Sequence, residues 1–411
     1  MRRRAFLAVL LATSIAAGPA FPEPRPVGLR PSLTTDEAGL WDASAKAERG
    51  ARQSADFNSD PELTAYVRGV TCKVAAPYCD DIRVYVMDRP VSNALMAPNG
   101  YSEVWSGLLL RSTSEAELAF VLGHEAVHFI ENHSIEAWRA QKRRANVMLA
   151  LSAGVAISGA AATANAPAVD TARSIQDLAN AVIDGVYLAY VTSLFAFSRG
   201  NETEADRLGF ERLVAAGYAP GAAATMWRNQ IAEAAASDFP RVRSRGARAN
   251  IFNTHPIGSD RAAALEDLTA KTDRTGDPGR ERHRAAIRPH LADWLKDDLT
   301  RRDFGQTLHI IDRLAATGDD PGVLGFYRGE TYRRRRKAGD QEKALAAYLA
   351  ASRASDAPVA VWRELGDMQV KTGATGNARV AYETYLVNAP DAQDRWIVEA
   401  SLKTLTGTSR P

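Results

Sequence analysis

The segment Val121–His133, VLGHEAVHFIENH, holds three of the seven histidines in this 411-residue chain. His124 and His128 stand four apart with Glu125 between them, and the run ahead of them, ELAFVLG, is apolar. Residues i and i+4 of an α-helix share a face, with Cβ atoms about 5–6 Å apart, so two imidazoles here can converge on one point. Ser114 and Glu117 in SEAELAF have capping-box spacing and predict the start of that helix just upstream. The apolar setting buries the helix, and buried imidazoles without partners are unfavourable. A ligand shared by both rings removes that penalty.

A metal ion is such a ligand. H-E-x-x-H on a helix supplies two nitrogen donors at about 2.0–2.1 Å while the glutamate serves as general base, the signature of zinc peptidases. Surface histidines on an ordinary helix are the alternative, and the apolar flank counts against it. A catalytic zinc takes three protein ligands and leaves one position open. The residues after His128 read FIENHS, which excludes the H-E-x-x-H-x-x-G-x-x-H arrangement. The best third donor lies in SRGNETEADRLGFERL, where Glu202 and Asp206 are four apart on a predicted helix. One can ligate while the other orients a ligand histidine. Glu204 would face elsewhere.

The balance of 51 Lys and Arg against 49 Asp and Glu gives no clustered basic face and excludes nucleic acid as a partner. The first twenty residues, MRRRAFLAVLLATSIAAGPA, read as a secretory signal cleaved after Ala20. An uncleaved anchor helix is the alternative, although the apolar run is shorter than the roughly 20 residues a span needs. In an exported chain Cys72 and Cys79 are expected to form a disulfide, whereas free thiols would be expected if export fails. A Pro-rich linker leads to helical patterning at Thr35–Ser54 and Pro61–Val74, and strand patterns at Ile82–Asp88 and Gly100–Gly107 imply a small sheet. Val147–Ala164 is eighteen residues without charge, and the apolar stretch after it carries Asp184. That pair reads either as a helical hairpin packed on the catalytic domain or as a membrane contact or insertion.

The C-terminal quarter follows another pattern. Trp362, Leu365, Gly366, Ala378, Tyr382 and Pro390 stand at tetratricopeptide spacing, and Ala344 and Tyr348 precede Ala378 and Tyr382 by 34 residues. Gly329 and Tyr332 mark the first helix of that earlier unit, with about three extra residues in its turn. A helix over Arg302–Ala316 would begin the stack, since roughly three units make a continuous core. Generic helical hairpins are the alternative. The basic run YRRRRKAGD (Tyr332–Asp340) reads as a solvated turn face.

Four separate motifs in order carry a resemblance: NALMAPNGYSEVWSGLLL (Asn93–Leu110), ELAFVLGHEAVHFIENH, ETEADRLG and THPIGSDR (Thr254–Arg261). Together they resemble the zinc metallopeptidases that include HtpX and the CAAX prenyl protease, most closely the periplasmic, BepA-like branch with a tetratricopeptide tail. The resemblance implies an α+β, mostly helical fold: a gluzincin-type peptidase domain with a small sheet, then an all-α repeat solenoid. It divides the chain into a signal peptide (1–20), a linker (21–34), a peptidase domain (35–275) and a repeat domain (285–411). It implies one zinc ion on His124, His128 and Glu202, Glu125 as general base and Asp206 as the acid behind the ligands. His255 would approach the metal to stabilise an oxyanion or to occupy the open position, Arg261 would belong to the substrate cleft, and His133 reads as structural. The strand near Tyr101–Ser106 resembles an edge strand that pairs with an extended peptide. The polar pair Ser102–Glu103, where the family usually has an apolar pair, bears on substrate preference. The implied function is a periplasmic endopeptidase that removes misfolded or stalled envelope proteins, its repeats recruiting clients or outer-membrane assembly machinery, with peripheral membrane contact. The alternative is a chaperone or assembly factor whose peptidase site is latent and self-inhibited.

Overall fold

The computed structural model describes residues 24–31, 34–140, 142–143, 197–245, 250–252, 255–256, 258–405 and 407. The signal segment 1–20 and the apolar stretch Val147–Ala164 lie outside the described residues. Among those described, no helix is long and apolar enough to cross a membrane. The chain is mostly helical around a small sheet, as the pattern predicts. Helices α1 (Ala38–Gln53) and α2 (Pro61–Val74) come first. Asp60 caps α2 by accepting from the Glu62 and Leu63 N–H groups, and Pro61 occupies the first turn, where no N–H is required. The disulfide Cys72–Cys79 ties the end of α2 to the turn that enters the sheet.

Strands β1 (Arg83–Met87), β2 (Ala94–Met96) and β3 (Tyr101–Trp105) form that sheet in the order β1–β3–β2. β3 runs parallel to β1 and antiparallel to β2. This corrects one expectation: β3 is the middle strand, and the edge beyond it is β2. Alternation along β3 reveals a strand but not its neighbours, and β2 is too short to show a period of two. Helix α3 (Ser106–Arg111) follows β3 directly.

Helix α4 (Glu115–Ile130) carries the paired histidines, and all 16 of its residues are buried. Ser114 Oγ accepts from the Glu117 N–H at 3.1 Å. The Glu117 carboxylate in turn accepts from the Thr113 N–H at 3.0 Å, so the box closes one residue before the expected one. Around α4 pack α2, β2, α5 (Arg199–Ala215) and α6 (Gly221–Ala236). The contact with α5 is glycine against glycine. A Cβ on Gly209 would stand 3.0 Å from the His124 amide nitrogen, and one on Gly123 would stand 3.4 Å from the Gly209 carbonyl. The two backbones therefore cross closely at these glycines.

Upstream, Arg25 is buried under the end of α4. Its guanidinium donates to the Pro98 carbonyl at 2.8 Å and lies 4.0 Å from the Phe129 ring centroid, while its N–H donates to the Ile130 carbonyl at 2.9 Å. The last carbonyls of α4 thus find donors, as buried helix ends require.

After α7 (Pro240–Arg245) a two-stranded ribbon forms from β4 (Asn250–Phe252) and β5 (His255–Pro256), and α8 (Ser259–Ala270) follows. Then come α9 (Arg280–Ile287), α10 (Leu291–Thr300), α11 (Phe304–Ala315), α12 (Pro321–Arg335), α13 (Asp340–Ala351), α14 (Ala360–Lys371), α15 (Thr375–Asn388) and α16 (Arg395–Leu405). From α11 onward each helix packs on the next in sequence. One contact repeats: a Cβ on Gly329 would meet the Tyr348 ring at 2.4 Å, and one on Gly366 would meet the Tyr382 ring at 2.3 Å. The basic run that ends α12 and leads into α13 makes internal ion pairs, Arg333 with Glu330 and Glu364, Arg335 with Asp340 and Lys337 with Asp238.

One apolar core runs from Leu63 on α2 to Ala381 on α15. Polar groups cross it too. Arg111, 1% exposed along its side chain, donates to Glu233 on α6 at 2.8 Å and to Asp298 on α10 at 2.7 Å. His283 on α9 is buried, with Nε2 3.0 Å from the Leu109 carbonyl and Nδ1 2.9 Å from the Tyr66 hydroxyl. A neutral ring satisfies both contacts, Nε2 donating and Nδ1 accepting.

Two expectations follow. Gly209→Val should lower the free energy of unfolding by about 1–3 kcal/mol through overpacking, read by urea denaturation, and unchanged stability would mean the helix crossing is not tight. Burial holds His283 at about 4, below its ordinary 6.5. The unfolded chain then takes up the proton first, so this stability is complete at neutral pH and is lost as pH falls from 6.5 towards 4. Relative to His283→Gln, the parent should lose about 3 kcal/mol more between pH 7 and pH 4, measured as paired denaturation curves, and parallel curves would contradict this.

Candidate metal centre

The glycine crossing sets α5 against α4 with Glu202 and Asp206 on the facing side. Glu202, Asp206 and Gly209 follow the i, i+4, i+7 stripe of one helical face. His124, His128 and Glu202 consequently each offer one donor atom within 4.8 Å of the others. His124 Nε2 stands 3.1 Å from His128 Nε2, and Glu202 oxygens stand 3.6 and 3.7 Å from these two nitrogens. A tetrahedral zinc with bonds of about 2.0–2.1 Å holds its ligand atoms about 3.3–3.4 Å apart, which these edges bracket. All three residues are at most 2% exposed. Two imidazoles and one carboxylate form a donor set of the catalytic-zinc kind.

A second layer fixes these donors. Asp206 Oδ1 lies 3.1 Å from His124 Nδ1, the nitrogen turned away from the cluster. Arg261, in the first turn of α8, donates from Nε and Nη2 to the two Asp206 oxygens at 2.6 and 2.8 Å, and from Nη1 to Glu202 Oε2 at 2.7 Å. Burial would raise the Asp206 carboxyl, but the hydrogen bonds from Arg261 and His124 hold it below the ordinary carboxylate range. Burial would likewise lower the Arg261 guanidinium, and Asp206 and Glu202 raise it instead. Where the resemblance implies a residue of the substrate cleft, the structure holds Arg261 on two carboxylates. Glu125 is 1% exposed, one residue from His124 on α4. His255 is placed by its backbone in β5, opposite Phe252.

Sequence reasoning missed three participants. Trp227 on α6 is fully buried, donates Nε1 to Asp206 at 3.2 Å and meets the His124 ring edge-on at 5.9 Å. It stands among alanines with no motif offset to mark it. Phe197 stacks on His128 at 3.7 Å. The third, Glu204, reaches the buried His133 at 3.3 Å, and His133 reaches His128 at 2.9 Å. Burial lowers His133 from its ordinary value against the pull of Glu204. Adjacent segments also gather on Glu115 in the first turn of α4, which accepts from Tyr218, Lys73 and Arg282.

Known proteins share this arrangement of sequence. A putative beta-barrel assembly-enhancing protease of Vibrio cholerae is 28% identical over 175 residues, covering 41% of this chain and 33% of that protein. The beta-barrel assembly-enhancing protease of Yersinia pestis is 25% identical over 282 residues, covering 64% of this chain and 54% of its own. The human mitochondrial metalloendopeptidase OMA1 is 35% identical over 106 residues, covering 25% of this chain and 20% of its own. The matches thus span about a third of the first relative and about half of the second. Residues 58–269, which contain all of α2 through α6 and the cluster on α4 and α5, match the model of peptidase family M48, and the chain belongs to that family.

Proposed function

We propose that this protein is a zinc-dependent endopeptidase of the cell envelope. The observation that carries the proposal is the meeting of His124, His128 and Glu202 in a buried, metal-sized cluster beside Glu125. Zinc held there supplies a Lewis acid that makes water more acidic and polarises a peptide carbonyl. Glu125 accepts the proton of the attacking water and delivers it to the leaving amine. Asp206, Trp227 and Arg261 keep the His124 ring and Glu202 in place through that cycle. The edge strand β2, which packs against α4, is the element against which an extended substrate pairs by its main chain.

The wider reading draws on the sequence and on the relatives' names. The leader-like first twenty residues and the disulfide favour an exported, periplasmic chain. Relatives named beta-barrel assembly-enhancing proteases favour a role in quality control of envelope proteins, with misfolded or stalled chains as substrates. The paired helices from α12 to α15, with the glycine-on-tyrosine contact at 34- to 37-residue spacing, favour a tetratricopeptide-like domain that recruits clients or assembly machinery. We divide the chain into a peptidase domain over 35–275 and a repeat domain over 285–411, joined through a shared core. His255 is the residue we propose to act at the metal, either stabilising an oxyanion or occupying the open position as an inhibitor.

The purified mature chain should carry one zinc and cleave casein, a chelator should abolish cleavage, and Glu125→Gln should keep the zinc and lose at least a hundredfold in rate. Equal cleavage by that variant would overturn the assignment. Deleting the chain from Pro358 onward removes the last helices and leaves α12 and α13 paired. That truncation should retain casein cleavage while losing capture of envelope clients, and loss of casein cleavage would place the tail in the peptidase itself.

A further inference from the structure

His133 and Glu204 have no part in the reaction just described, and their placement is specific. A helix that simply continued past His128 would carry its fifth residue about 140° around the axis, away from His128. Instead α4 stops at Ile130, and Asn132 takes a left-handed conformation at φ 59°, a region Asn tolerates better than most residues. That turn folds His133 back onto the ligand helix, its Nδ1 2.9 Å from His128 Nδ1. From the other side α5 brings Glu204 to 3.3 Å from His133 Nε2.

Tautomer logic then determines the whole chain of contacts. His128 turns Nε2 toward the donor cluster, so a metal there takes the Nε2 lone pair and leaves the ring proton on Nδ1. His128 Nδ1 therefore donates, and His133 Nδ1 accepts. His133 then carries its proton on Nε2, where the Glu204 carboxylate accepts it. Each ring has one tautomer that fits, and the sequence of donors ends on an acceptor-only group. His124 has its own support in Asp206, so each ligand histidine is backed through Nδ1, one directly by a carboxylate and the other through an interposed imidazole.

We propose that His133 and Glu204 are positioning residues that fix the tautomer and orientation of His128 and thereby set the affinity of the site for zinc. The inference rests on the reading of His124, His128 and Glu202 as a zinc site. Outer partners of ligand histidines typically contribute about 10–100-fold in metal affinity.

The test measures zinc dissociation constants by competition with a chelating indicator on the full chain, together with thermal unfolding of the zinc-free form. Glu204→Ala, at a partly exposed position, should weaken zinc binding about tenfold or more while leaving the zinc-free midpoint in place. His133→Ala should weaken it further, and His133→Gln, which keeps an acceptor for His128, should recover most of the loss. Zinc affinity within twofold of the parent in Glu204→Ala and in every folded His133 variant would overturn the proposal, as would a fall in zinc-free stability without a fall in affinity. If His133→Ala does not fold, Glu204→Ala decides alone. A parent chain that takes up no zinc would instead overturn the metal-site reading, and the positioning role with it.

Discussion

The contact between Gly123 and Gly209 is the constraint from which the site follows. A Cβ on Gly209 would stand 3.0 Å from the His124 amide nitrogen and press α4 and α5 apart by a few tenths of an ångström, and longer side chains would press harder. The donor-atom separations of 3.1–3.7 Å depend on that close approach. The glycines weaken the helices locally, since each is roughly 0.5–1 kcal/mol less favourable than alanine in a helix interior. The burial of all 16 residues of α4 more than offsets this. A weak helix position is tolerated where it lets two backbones bring opposed donors together.

The outer contacts share one logic. A histidine that holds a metal does so as a neutral ring, and its second nitrogen must be satisfied inside a dry interior. Asp206 and His133 meet that need, and each is itself held, Asp206 by Arg261 and Trp227, His133 by Glu204. One guanidinium, Arg261, is shared between the two carboxylates of Glu202 and Asp206.

Much of this was legible from the residues. The spacing of His124 and His128, with Ser114 and Glu117 ahead, predicts the ligand helix, and the stripe through Glu202 and Asp206 predicts its partner. What escaped was set by tertiary packing. A lone Trp227 or an Arg111 in a leucine run carries no period, so neither the support of Asp206 nor the ion network from α3 to α10 can be read in advance. The strand order escaped for a similar reason, because Ala94–Met96 is only three residues long. Glu204 lies off the Glu202–Asp206 stripe, and the left-handed turn at Asn132 brings His133 to meet it.

The Arg25 strap has a practical corollary for handling the protein. Its guanidinium and amide fasten the end of α4 only two residues beyond His128, and the Tyr78 hydroxyl anchors it in turn by donating to its carbonyl at 2.8 Å. A purification tag or fluorescent fusion attached immediately ahead of Pro24 would tug on that anchor and, through it, on the end of the helix that carries His128. Labels are better joined after Leu405, at the end of the last helix and far along the chain from the cluster.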